Sequence, residues 1–335
     1  MNVLIVALDN IGDTILSLSL YNALKKEPGV RVSFWTKKYS KDIIPLFGSG
    51  IPHFYCDPFW TGSPGSGKGG FVSFFSEFLK IRAARFDAAL VLNSNWRKNL
   101  FCLLAGIRRR LVFSGPFGTE KISPSPDERH VLDCYRQMAS VLLGRELGRL
   151  SCEMSGPIPP GPKDLEEVMS KGEWAVVHPF SGDPRRNLPL NRWPEIIRHL
   201  VKTGFKIYVN AREPEKKLFL SAIGEEISLS GKYLFFSCDY LDSLPVLARV
   251  LSLSKIFIGN DSSPLHLASA VGTPCIGILS LRNAKLIRPL GRFEAHIVTF
   301  KKSSEEISVE KVIREIDGVL WRRCQATDIN EHTGD

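Results

Sequence analysis

Apolar positions along this chain follow two alternating patterns. Short, nearly unbroken apolar runs bounded by Gly, Pro, Asn, Asp or Ser predict buried strands. They fall at Asn2–Leu8, Arg31–Thr36, Ala88–Leu92, Leu111–Phe113, Trp174–Val177, Lys206–Val209, Tyr233–Phe236, Ile256–Ile258 and Cys275–Leu279. Between them, apolar residues recur at helical spacing, predicting helices over Thr14–Lys26, Tyr39–Phe47, Phe71–Arg85, Trp96–Ala105, His130–Leu143, Arg192–Thr203, Pro214–Ile223, Leu241–Leu251 and Ser308–Trp321. Strands alternating with helices predict an α/β chain whose parallel sheets are covered on both faces. From residue 144 to 172 the pattern lapses, and Pro157, Pro159, Pro160, Gly161 and Pro162 crowd a polar stretch that reads as a linker. The expected layout is a doubly wound α/β domain over 1–150, a linker over 151–172 and a second such domain over 173–305. A closing helix over 306–323 and a polar tail over 324–335 complete it.

The densest chemistry lies in Lys255–Ser280, KIFIGNDSSPLHLASAVGTPCIGILS. A buried strand runs into Gly259-Asn260-Asp261-Ser262-Ser263, Pro264 suits the first turn of the helix that follows, and Gly272 ends it. A carboxylate, two hydroxyls and an imidazole (Asp261, Ser262, Ser263, His266) thus cluster where a parallel strand meets a helix N-terminus, whose free N–H groups favour anions. A well-capped helix with a core-facing histidine accounts for the same spacing.

A length of 335 residues suits two domains, and 44% apolar with 24% charged residues suits a globular fold. The net charge of +9 favours an anionic partner: nucleic acid, phosphorylated sugar or an acidic membrane surface. No apolar run reaches the roughly 18 residues that span a bilayer. MNVLIVALDN carries Asp9 and no basic start, so it reads as a first strand rather than a signal peptide. Seven scattered cysteines without a CxxC pair point to reduced thiols in a cytosolic protein, and no metal site is expected.

The first strand ends at Leu8-Asp9-Asn10-Ile11-Gly12-Asp13. One glycine stands where a dinucleotide fingerprint needs three, which disfavours a nicotinamide or flavin cofactor. Asp13 reads either as a helix-capping carboxylate or as a general base. Gly62-Ser63-Pro64-Gly65-Ser66-Gly67-Lys68 has the GxxxxGK spacing, but Gly69 replaces the metal-binding hydroxyl, so a glycine-rich lid is expected instead. In the second domain, Ser181 and the Arg185-Arg186 pair follow His178-Pro179, a set suited to a pyrophosphate. Arg97, Lys98, Arg108, Arg109 and Arg110, with Arg82 and Arg85 upstream, give the first domain a basic surface. Aromatic residues are not interleaved there as single-stranded nucleic acid needs, and no nucleic acid is expected; a phosphorylated substrate or membrane headgroup fits as well, and a solvated basic face accounts for any one of these residues.

These motifs, taken together, resemble the bacterial lipopolysaccharide heptosyltransferases of glycosyltransferase family nine. Gly259-Asn260-Asp261-Ser262-Ser263-Pro264-Leu265-His266-Leu267-Ala268 is close to that family's GNDTGPxHLA. Gly12-Asp13, Phe86-Asp87 through Arg97, Ala105-Gly106-Ile107-Arg108-Arg109, Arg129-His130, His178-Pro179 with Ser181, the Arg186 region and Trp193-Pro194 add matches in the right order. The resemblance implies a GT-B fold, two Rossmann-like doubly wound domains facing across a cleft, with the last helix packing back towards the first domain. It implies inverting, metal-independent transfer of heptose from ADP-heptose to a phosphorylated lipopolysaccharide-core acceptor by a cytoplasmic enzyme, with no cofactor. The anionic glycolipid acceptor would bring the enzyme to the inner-membrane surface. By position, Asp13 would be the catalytic base. Ser181, Arg185, Arg186, Asp261, Ser262, Ser263 and His266 would bind the donor, and Arg97, Lys98 and Arg109 the acceptor. Ser262-Ser263 stand for the family's Thr-Gly, and Ala211-Arg212 for its Gly-Gly. These departures keep another nucleotide-sugar transferase, an epimerase or a non-catalytic nucleotide-binding homologue open as alternatives.

Overall fold

The computed structural model describes residues 1–60, 68–93, 95–224, 234–240 and 243–332. Two compact units divide the chain, Met1–Ile158 and Pro159–Asp335. The glycine-rich stretch at 62–67, expected as a lid, lies outside the described residues.

The first unit holds six strands, β1 (Asn2–Ala7), β2 (Arg31–Thr36), β3 (His53–Tyr55), β4 (Ala88–Val91), β5 (Arg109–Val112) and β6 (Glu120–Lys121). All pair in parallel, in the order β3-β2-β1-β4-β5-β6. Its helices are α1 (Ile11–Leu16), α2 (Leu18–Leu24), α3 (Ile44–Phe47), α4 (Lys68–Ala83), α5 (Trp96–Leu104) and α6 (Val131–Leu143). Val3 to Ala7 are completely buried, as expected of a central strand covered on both faces.

The second unit repeats the plan with β7 (Glu173–His178), β8 (Phe205–Val209), β9 (Leu234–Phe236), β10 (Ile256–Asn260), β11 (Cys275–Ser280) and β12 (His296–Phe300). These are also all parallel, in the order β12-β11-β10-β7-β8-β9. Its helices are α7 (Lys163–Met169), α8 (Trp193–Lys202), α9 (Glu213–Ile223), α10 (Leu244–Leu253), α11 (Ser263–Val271), α12 (Leu281–Ile287) and α13 (Val309–His332). Each sheet reverses its strand order once, between β1 and β4 in one and between β7 and β10 in the other. A ligand crevice opens beside the carboxyl ends of strands at such a reversal.

Several elements differ from the sequence reading, each for a physical reason. The helix expected over Thr14–Lys26 is two, α1 and α2, meeting at Ser17. The Ser17 Oγ donates to the Thr14 carbonyl at 2.5 Å and Ser19 Oγ to that of Leu16 at 2.8 Å, competing with the helical ladder. Strands β3, β6 and β12 escaped the apolar pattern because edge strands are short and mixed in polarity. The stretch from 163 to 169, within the expected linker, folds as α7, whose Glu166 carboxylate binds the Arg249 guanidinium of α10 at 2.7 and 2.9 Å. The last helix runs on to His332, beyond the expected end at Trp321.

Val312, Ile316 and Val319 of α13 join the core of the second unit, with Ile196 and Leu200 of α8 and Ile276 of β11. Replacing the fully buried Ile316 by alanine should cost about 2–5 kcal/mol of unfolding free energy in urea. A loss below about 0.5 kcal/mol would show that α13 is peripheral to that core.

Candidate active site

In the first unit, an ion pair joins the segments that follow β1 and β4. Lys98, carried on α5 behind β4, is only 2% exposed. Its ammonium lies 2.6 Å from both carboxylate oxygens of Asp9, which follows β1. A buried ammonium is stable only when paired, so Lys98 fixes Asp9 and thereby the turn into α1. Tyr39 adds a second tie, its hydroxyl donating to the Asp9 carbonyl at 2.7 Å. Burial, with the charges of Asp13, Asp9 and Asp57, pushes the Tyr39 phenol up to about 12.

Asp13 stands in the first turn of α1. Its Oδ2 accepts the Asn10 N–H at 3.1 Å. Burial pushes its carboxyl up to about 6, and the neighbouring Asp9 charge pushes the same way. The Asn10 N–H and the charges of Lys98 and Lys37 oppose that rise without cancelling it. The capping contact foreseen for Asp13 is present: one carboxylate oxygen accepts the Asn10 N–H, and burial raises the proton affinity of the group into the range that suits a base near neutrality.

Arg97, Lys98 and Arg109 do not form one cluster: of the three, only Lys98 acts on Asp13. Lys98 faces Asp9, while the Arg97 guanidinium stacks over the Trp96 ring, 4.6 Å from its centroid. Arg109 begins β5, at the amino edge of the sheet and so at the end opposite Asp13. Its guanidinium grips Glu120 with two bonds of 2.9 Å and donates to the Leu142 and Val141 carbonyls at 3.0 and 3.3 Å.

In the second unit, Asn260 does what the motif spacing did not reveal. It ends β10 fully buried, its amide Nδ2 donating to the Pro179 carbonyl at 2.6 Å and its Oδ1 accepting the Leu188 N–H at 3.0 Å. The loop bearing Ser181, Asp183, Arg185 and Arg186 is thus clasped at both ends onto β10. The preceding Gly259 is required by space, because a Cβ there would come within 2.7 Å of the Phe257 ring and 3.1 Å of the His178 carbonyl oxygen. His178, at the end of β7, lies 2.7 Å from the Asn210 carbonyl, a contact that needs the proton on Nδ1. Burial lowers its pKa, which favours the neutral ring.

The clasp sorts the two arginines. Arg185 folds onto Asp183, with Nη2 and Nε 2.8 and 3.0 Å from the carboxylate, and its side chain is 89% exposed. Arg186 reaches inward, its Nη1 lying 3.3 Å from Oδ2 of Asp261. The Asp261 side chain is only 3% exposed, and the same oxygen accepts the amide of Asn283, from the first turn of α12. Ser262 is the N-cap of α11, yet its hydroxyl donates to the Asn260 carbonyl at 3.1 Å and makes no cap bond. Ser263 opens the helix, and His266 lies buried one turn further in. Ser181 donates to the Asp183 carbonyl at 2.7 Å. The second unit therefore presents a guanidinium, a helix N-terminus and an oriented carboxylate together, groups suited to a diphosphate bearing a hydroxylated substituent.

Sequence reasoning missed Asp9, Asp183, Asn260 and Asn283. Polar residues at the ends of apolar strands were the available signal for Asp9 and Asn260. Nothing in the pattern marked Asn283. As for metals, the ligand atoms of Glu213, Cys238 and Asp239 lie within 4.8 Å of one another. The Lys216 ammonium already pairs with Asp239 there.

The Asp9 charge raises the Asp13 pKa, so Asp9→Asn should lower it and Lys98→Met, which removes an opposing cation, should raise it further. Carbon-13 NMR titration of the Asp13 carboxyl reads both directions. A midpoint near 6 in all three proteins would show that burial alone sets it.

The profile of glycosyltransferase family 9 (heptosyltransferase) matches residues 76–315. Among solved structures, ADP-heptose lipopolysaccharide heptosyltransferase II of E. coli superposes with a TM-score of 0.72 at 15% identity, over 96% of this chain and 99% of that one. The E. coli heptosyltransferase WaaC with ADP gives 0.72 at 17% identity, over 95% and 100%. A family 9 glycosyltransferase of Veillonella parvula gives 0.72 at 16%, over 96% and 97%. A curated Haemophilus influenzae relative, named as a candidate glycosyltransferase, is 24% identical over 154 residues; the match spans 44% of this chain and 43% of that relative's length. Two parallel six-stranded units with this strand order are those of the GT-B fold, and the chain belongs to glycosyltransferase family 9, the heptosyltransferase family.

Proposed function

We propose that this glycosyltransferase moves a heptose from ADP-heptose to a hydroxyl of a phosphorylated lipopolysaccharide-core acceptor, with inversion and without a metal. The observation that carries this reading is Asp13, a carboxyl in the first turn of α1 with its pKa raised to about 6. Above that pH it is ionised and takes the proton of the acceptor hydroxyl as the oxygen attacks the anomeric carbon. The bond from that carbon to the diphosphate breaks, and its electron pair leaves on the nucleoside diphosphate. Arg186 and the α11 N-terminus, Ser262 and Ser263, hold the charge that gathers there, with Ser181 and Arg185 at the edge of the same loop. Asp261 accepts donor sugar hydroxyls, and His266 shapes the pocket behind them. A single displacement inverts the anomeric centre.

The donor is inferred from relatives: E. coli WaaC has been solved with ADP and with ADP-2-deoxy-2-fluoro heptose. An anionic glycolipid acceptor suits the net charge of +9. Of the three cations assigned to the acceptor, Arg97 stacks on Trp96, Lys98 acts through Asp9, and Arg109 is engaged by Glu120. No helix among the described residues is long and apolar enough to cross a membrane. The proposed setting is cytoplasmic, at the inner-membrane surface, with no nucleic acid and no further cofactor.

Calorimetry with ADP, UDP and GDP, without magnesium, tests the donor. Selective ADP binding, weakened about 10–100-fold in Arg186→Ala, is expected; selective UDP or GDP binding would replace the donor, and binding of none would remove the catalytic reading. Asp13→Asn should leave ADP affinity within about twofold while lowering turnover about 10²–10⁴-fold. In the wild type, kcat/KM should rise with pH through about 6 as the base ionises. Unchanged turnover in Asp13→Asn would end its role as base.

Asn283→Leu frees the Asp261 carboxylate to turn. It should raise KM for the nucleotide sugar about tenfold and leave ADP affinity unchanged. Equal losses for ADP and for the nucleotide sugar would show that Asn283 only supports the fold.

A further inference from the structure

Seven of the sixteen large apolar side chains exposed among the described residues sit on one layer of the first unit. On α5, Trp96, Leu103 and Leu104 are 46%, 39% and 46% exposed. With half-buried Leu100 they recur at i, i+4, i+7 and i+8, the stripe of an amphipathic helix. This stripe points outward, because Phe101 and Cys102 of the same helix already fill the core. On α4, Phe71, Val72 and Leu79 are 51%, 70% and 60% exposed, while Phe74, Phe78 and Ile81 fill the core behind them. The Phe74 and Phe78 rings lie 4.7 and 5.4 Å from that of Phe101, so the two helices adjoin and their outer faces form one surface. Phe59 completes it, 5.2 Å from Phe71. Scattered exposed leucines need no explanation, but a doubly apolar pair of packed helices does.

The foot of this layer is cationic. A groove of about 840 Å³ opens at the amino edge of the sheet, lined by Leu79, Arg82, Arg85, Phe86, Arg108 and Arg109 among others. The Arg82 guanidinium donates to the Leu104 carbonyl and ties the two helix ends together. Glu120 neutralises Arg109, and the exposed Lys80–Glu77 pair is neutral in sum. Asp87 is the one carboxylate in the lining, and its Oδ2 accepts the Asn2 N–H at 2.6 Å. Arg85 and Arg108 pair with no carboxylate among the described residues. Arg85 also sits just past the end of α4 with φ +51°, a left-handed position that glycine occupies without strain. An arginine kept there points to a use for its side chain.

We propose that the α4–α5 layer docks on a bilayer bearing anionic headgroups. Trp96, Leu103, Leu104, Val72 and Leu79 enter the interfacial region, and Arg85 and Arg108 hold a headgroup phosphate in the groove. The apolar stripe supplies partition into the interface, and the unpaired guanidiniums supply selection for negative charge. This proposal rests on the inner-membrane setting proposed above, names the face that meets the bilayer, and does not depend on which sugar is transferred.

Co-sedimentation of the full chain with vesicles tests the proposal, using phosphatidylcholine alone and phosphatidylcholine mixed with phosphatidylglycerol. Binding is expected to the mixed vesicles only, and to weaken as salt is raised. Arg85→Gly and Arg108→Ala should each lower the partition about fivefold, and Leu79→Ser with Leu104→Ser should abolish it. Glycine relieves the backbone at position 85, so Arg85→Gly should melt no lower than the wild type, which separates lost docking from lost folding. Wild-type protein left in the supernatant, equal binding to both compositions, or variants that bind as the wild type does would each overturn the proposal. So would inorganic phosphate binding in the groove without vesicle binding, or a lipid-free change of oligomeric state in the leucine variant, which would assign the face to self-association.

Discussion

Parallel strands bring all their carboxyl ends to one edge, and where the strand order reverses the helices that follow leave in opposite directions. The chain does this twice, at β1/β4 and at β7/β10. Asp9, Asp13 and Lys98 gather at the first reversal, and His178, Arg186, Asn260 and Asp261 at the second. The β10–β7 register, Gly259 opposite His178, sets the backbone spacing across which Asn260 reaches its loop. Without that pairing the residues would share no common edge.

Each reversal is held by a buried polar group that makes two hydrogen bonds. In the first unit a lysine ammonium satisfies a carboxylate; in the second a neutral amide satisfies one carbonyl and one N–H. The chemical difference matters. The ion pair leaves an Asp9 charge close to Asp13, and with burial it raises the proton affinity of that carboxyl. The amide adds no charge, so the arginine loop is positioned without weakening its field for a phosphate. The cost of ionising Asp13 near neutrality is an expense of folding that a purely structural helix cap would avoid.

The same logic extends outward along the first unit. Helices α4 and α5 carry apolar residues on two faces, one packed on the sheet and one facing outward. A helix apolar all round is ordinarily enclosed, and these two are not. Their outward residues stand beside Arg85 and Arg108, which pair with no carboxylate among the described residues. Arg109, one of the three cations expected at the acceptor, joins β5 to Glu120 and to the end of α6.

Much of the fold was legible because central parallel strands are buried on both faces and read as unbroken apolar runs, as Val3 to Ala7 and Ile256 to Ile258 do. The edge strands β3, β6 and β12 were not legible, because an edge strand has little apolar surface to cover. The motif around Asp261 identified the family, since spacing along a strand, turn and helix is local and survives in sequence. What only the tertiary structure decided was long-range pairing: Lys98 with Asp9, 89 residues apart, Arg186 with Asp261, 75 apart, and Asn283 with Asp261, 22 apart. A side chain's charge and reach are written in its residue type, but the partner that fixes its direction and its proton affinity is chosen by how strands distant in sequence lie side by side.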